Sequence, residues 1–124
     1  MELYTKESLK EVIEKSKDEF YMPKALFDHY KNLRLETKLA YVSVLETMKN
    51  KAVYTTENLA YVKDVNKTAS QLGPILGIDV NELTSKLQTA KDDQEKVNKY
   101  LKELEEVELI KVDKQNIFVY DVLS

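Results

Sequence analysis

Toward the end of the chain the apolar residues change period once, and that change restricts the architecture more than any other feature. Val97, Tyr100, Leu101, Leu104 and Val107 recur every three or four residues, the spacing of one helical face. Leu109-Ile110-Lys111-Val112 and Ile117-Phe118-Val119-Tyr120 are β-prone runs on either side of the polar Asp113-Lys114-Gln115-Asn116. The pattern predicts a helix that leads directly into a hairpin. Asp92 and Asp93 mark the start of the helix, where the positive end of its dipole favours acids.

Earlier segments add helices and a second hairpin. Thr5 is placed to cap a short amphipathic helix carrying Leu9, Val12 and Ile13. Pro23 suits the first position of a small helix bearing Ala25, Leu26 and Tyr30. From Leu35 to about Met48 apolar residues cover more than one stripe, which predicts a central helix buried on most sides. Ala52-Val53-Tyr54 and Leu59-Ala60-Tyr61-Val62 flank a polar turn and predict a hairpin. Lys67 to Leu76 and Val80 to Leu87 are two further helix candidates, the first broken by Gly73-Pro74 and the second opened by a capping box at Asp79.

The side-chain inventory excludes many kinds of chemistry. Zero cysteines remove disulfides, thiolate nucleophiles and Cys-based metal sites. His29 is the single imidazole, and no Gly-x-Ser-x-Gly elbow accompanies it. The two glycines, Gly73 and Gly77, cannot supply a phosphate-cradling loop or a dinucleotide fingerprint. No enzyme, cofactor or metal is expected. Apolar runs reach four residues, against the ~20 that cross a bilayer, so no membrane partner is expected. The first residues alternate charged and apolar types without a signal-peptide stretch, and the expected location is cytoplasmic.

A final helix followed by a hairpin, after earlier helices, is the order of a winged-helix domain, in which the last helix is offered to DNA and the hairpin is the wing. The fold expected is therefore mainly α with two β-hairpins as its only β-structure, a winged helix-turn-helix with extra N-terminal helices. Residues 1–124 are read as a single winged-helix domain, with 1–19 an N-terminal helical extension.

Residues 20–48, FYMPKALFDHYKNLRLETKLAYVSVLETM, are the most distinctive stretch. Their aromatic pair Phe20-Tyr21, the run Pro23 to Phe27, Tyr30, Leu33 and the segment Glu36-Thr37-Lys38-Leu39 resemble the amino-terminal domain of the RepA_N family. Members of that family are replication initiators of plasmids and mobile elements in low-GC Gram-positive bacteria. AVYTTENLAYV is similar to the family's hairpin, and LKELEEVELIKV, residues 101–112, to the end of its helix-turn-helix and first wing strand. The resemblance implies DNA replication initiation, with recognition of origin-proximal duplex DNA. Glu108 stands where family members commonly have Gly, and the chain offers two candidates for the first helix of the motif where the family needs one; Val80 to Leu87 is preferred.

On this reading Lys91, Gln94, Asn98 and Lys99 face a major groove from the last helix. Arg34 and Lys38, from the one segment of net positive charge (21–40), contact DNA backbone, and Lys111 and Lys114 contact it from the wing. Each group also has an ordinary reading as solvated surface. Acids interleave the last helix, net charge is −3, and Arg34 is the single arginine, which favours the alternative of a winged-helix protein-protein interaction module with no DNA binding of its own. Expected partners are double-stranded DNA, a second copy forming a homodimer on paired half-sites, and proteins of the replication machinery.

Overall fold

The structure, a computed structural model, describes residues 1–63 and 87–123, the side chains of 87–94 excepted. Lys67 to Leu76, the Gly73-Pro74 break and all but the last residue of Val80 to Leu87 lie outside the described residues. The elements in chain order are β1 (Glu2–Leu3), α1 (Lys6–Ser16), α2 (Lys24–Asp28), α3 (Leu35–Lys51), β2 (Val53–Tyr54), β3 (Ala60–Val62), α4 (Leu87–Glu106), β4 (Ile110–Asp113) and β5 (Asn116–Asp121).

Local chemistry accounts for the helices. Thr5 Oγ1 accepts from the Ser8 amide at 3.2 Å and Ser8 Oγ from the Thr5 amide at 2.8 Å, a reciprocal cap that starts α1. Leu9 and Val12 then face inward. Pro23, expected at the first position of α2, stands just before it with extended backbone and makes no side-chain cap bond. Ten residues of α3 are buried. Of its hydroxyls, Ser43 and Thr47 donate to the carbonyls of Leu39 and Ser43, so that they are buried with a partner.

Both expected hairpins form, β2 with β3 and β4 with β5. They are not separate, however, and they are not the only strands: all belong to one antiparallel sheet of five, in a mixed α/β domain. β5 is central, paired on one side with β4 and on the other with β3 over residues 117–118 and with β1 over residues 120–121. The fifth strand has a physical reason. β3 stops short of the end of β5, whose remaining backbone groups need partners. The first residues of the chain supply them: Tyr4 N donates to Val119 O and Ala60 N to Tyr4 O, each at 2.9 Å. Glu2 and Leu3 are thus a strand at the start of the segment expected to be a helical extension.

One core lies between the helices and the inner face of the sheet. It joins Tyr4 and Leu9 to Tyr41, Leu45 and Met48 of α3, to Val97, Leu101 and Leu104 of α4, and to Ile110, Ile117 and Val119. Val97, Leu101 and Leu104 therefore mark the buried face of α4, as expected, with Tyr100 half-buried beside them; Val107, the last of the expected series, lies just past the helix and is exposed. Its start is corrected, because helical backbone already runs from Leu87 and Asp92-Asp93 lie in its second turn. Gln88, Ala90 and Lys91 are good helix formers and nothing there breaks the ladder.

Candidate nucleic-acid interface

With Val97, Leu101 and Leu104 inward, α4 exposes Glu95, Lys96, Asn98, Lys99, Lys102, Glu105 and Glu106. Lys99 and Lys102 lie near the middle of that face, Asn98 toward one side of it, and Glu95 and Glu106 at its two ends. Lys91 and Gln94 lie in the same helix, two turns and one turn before Asn98, with side chains outside the described residues.

The join between α4 and the hairpin is a tight turn with two cap bonds. Leu109 N donates to Leu104 O at 2.9 Å and Glu108 N to Glu105 O at 3.1 Å. This is the Schellman arrangement, and the apolar contact that accompanies it is supplied by Leu104 and Leu109, both fully buried. It demands a left-handed residue, and Glu108 takes φ 60°. The glutamate thus adopts the conformation that glycine would, at a cost of about 1–2 kcal/mol.

In the β4-β5 hairpin the loop is Lys114-Gln115, closed by the Asp113 to Asn116 pair. Lys114 is exposed with φ 56°. Lys111 is exposed as well, but its ammonium lies 6.0 Å from the centre of the Phe118 ring, which in turn contacts Tyr61 at 5.2 Å. Lys111 is therefore laid along the outer face of the sheet, and Lys114 projects from the tip.

Arg34 and Lys38 sit apart from this surface. Arg34 Nη2 is 2.9 Å from Glu103 Oε1 on α4. Lys38 is 8% exposed with its ammonium 5.4 Å from the Phe27 ring centre. Lys38 is not placed as an open phosphate contact, and that expectation is corrected; the Arg34 side chain keeps 45% of its surface exposed beside the ion pair. Lys38 shares a face of α3 with Tyr41, Leu45 and Met48, a spacing of three and four readable in the sequence. Glu103 was not expected to matter; its partners lie more than sixty residues away, and no local pattern signals them.

An open cleft of about 280 Å³ lies at the carboxy-terminal end of α4, lined by His29, Tyr30, Lys31, Asn32, Leu33 and Val107. Burial, and then the Glu108 carboxylate, raise the Tyr30 hydroxyl above the ordinary tyrosine pKa. Among the described residues no group of three or more His, Asp or Glu side chains is gathered to hold a metal ion, and no helix is long and apolar enough to cross a membrane. Compared with family models, with curated proteins and with solved structures, the chain finds no match.

Proposed function

We propose that this is the DNA-binding domain of a replication initiator of the RepA_N type, a winged helix that binds origin-proximal duplex DNA through α4 and the β4-β5 hairpin. The observation that best supports the reading is the direct run of α4 through one capped turn into β4, with β3, β5 and β4 adjacent in the sheet. An exposed helix face and an exposed hairpin tip are thereby held in a fixed relation. Asn98 and Lys99, with Lys91 and Gln94 preceding them, are the base-reading set, and Lys111 and Lys114 neutralise phosphates.

Because Glu95 and Glu106 bracket Lys99 and Lys102 on α4, a single copy binds weakly and with few net phosphate contacts. Two copies on paired half-sites supply the rest, which makes binding steep in protein concentration. The same bracketing acids favour the second reading, a module that docks on another protein. A titration of the chain against a duplex from the neighbouring origin region and a random duplex of equal length separates the two. Tighter binding to the origin duplex is expected, with a log-log salt slope that changes by ~0.9 for each phosphate neutralised. Failure of both duplexes to bind at low salt replaces the DNA reading with the docking module.

A further inference from the structure

Arg34 is the only arginine in the chain, and both oxygens of one carboxylate on α4 are held from the start of α3. Arg34 Nη2 meets Glu103 Oε1 at 2.9 Å, and Thr37 Oγ1 donates to Glu103 Oε2 at 2.6 Å. Thr37 is fully buried, so its hydroxyl has no water to turn to in place of Glu103. The apolar contacts of Val97, Leu101 and Leu104 hold α4 against the core without direction, and permit small changes in its roll. A carboxylate held at both oxygens, at one of them by a buried hydroxyl, restricts that roll.

Resting on the reading of α4 as the DNA helix, we propose that Arg34 and Glu103 form a positioning pair: Arg34 sets the roll of α4 through Glu103 and is not itself a phosphate contact. Glu103 lies one helical turn beyond Lys99, so rotation at Glu103 is passed directly to Lys99 and Asn98. Arg34 reaches Oε1 through Nη2 while Thr37 holds Oε2, so the carboxylate is held from two directions.

The test measures binding to the origin-proximal duplex and to the random duplex over a range of salt. It uses the unaltered chain, Arg34→Ala, Glu103→Ala and the exchange Arg34→Glu with Glu103→Arg, each checked for folding by thermal melting. Glu103→Gln, which keeps an acceptor for Thr37, replaces Glu103→Ala if that variant does not fold. Each single change is expected to lower the preference for the origin duplex about tenfold. The exchange should recover most of that preference, because the ion pair is rebuilt and the Thr37 hydroxyl can accept as well as donate. An exchange variant as poor as Arg34→Ala, with a salt slope shallower by ~0.9, makes Arg34 a phosphate contact and overturns the proposal. Unchanged preference in both single variants overturns it too. If the unaltered chain binds neither duplex, the DNA reading itself fails and takes this proposal with it, an outcome seen before any substitution is made.

Discussion

The Tyr41 hydroxyl donates to the Tyr120 carbonyl oxygen at 2.6 Å, tying the buried helix α3 to the central strand β5. The Tyr4 hydroxyl is buried next to it and makes no hydrogen bond of normal geometry. Tyr41→Phe removes the donor and leaves the carbonyl in the interior. A loss of about 1–3 kcal/mol is expected in chemical denaturation.

The same two tyrosines give the domain a pH dependence. Burial, reinforced by Tyr41 and Asp121, holds the Tyr4 hydroxyl protonated far above its ordinary value, and burial followed by Asp121 does so for Tyr41. In the unfolded chain both ionise near 10.0. The contribution is thus complete below that pH and is lost as the pH rises above it, because the unfolded state releases protons that the folded state keeps. The expected slope is about 1.4 kcal/mol per pH unit for each tyrosine. Urea midpoints should fall steeply above about pH 10, and less steeply in the variant Tyr4→Phe with Tyr41→Phe.

Leu101→Ala on the inner face of α4 should cost about 2–5 kcal/mol, since the side chain is nearly fully buried in the shared core. Lys99→Ala on the outer face should change stability by no more than about 0.5 kcal/mol. Equal effects of the two in a denaturant titration would mean that the helix is turned differently.

Glu108→Gly should raise stability by roughly 1 kcal/mol, because glycine takes the left-handed backbone of the capped turn without the side-chain penalty. Glu108→Val should lower it, the branched side chain being the worst suited to that region. Thermal melting of the two variants reads both signs.

On DNA the wing and the helix should separate. Lys114→Ala should weaken origin and random duplexes alike and flatten the salt slope by ~0.9. Lys99→Ala should change which sequences are preferred, by about 1–3 kcal/mol at one position. Binding by both variants across a set of single-base duplex changes checks the division.

Much of the fold could be read from spacing. The 97, 101, 104 series, the stripes of α3 and the cap at Thr5 are local patterns, and a local pattern fixes a local structure. β1 escaped because two residues are too few to show an alternation, and its place is dictated by what β5 lacks. The basic block was misleading for a different reason. Charge alone suggests solvent, yet the long apolar stem of Lys38 lies on the inward face of α3, and the fork of Arg34 is committed to a carboxylate on another helix. The exposure of Asn98, Lys99, Lys111 and Lys114 was legible because it depends only on helix phase and hairpin position.

The central place of β5 also bears on synthesis. Its partners β1 and β3 leave the ribosome well before it does, so both must wait with open edges for a strand that is made last among the described elements. Contacts of such long sequence separation slow folding. A nascent chain stopped before Asn116 can pair β2 with β3 but lacks the strand that joins β1, β3 and β4, and those unpaired edges are open to self-association. The sheet as a whole can therefore close only once β5 has emerged.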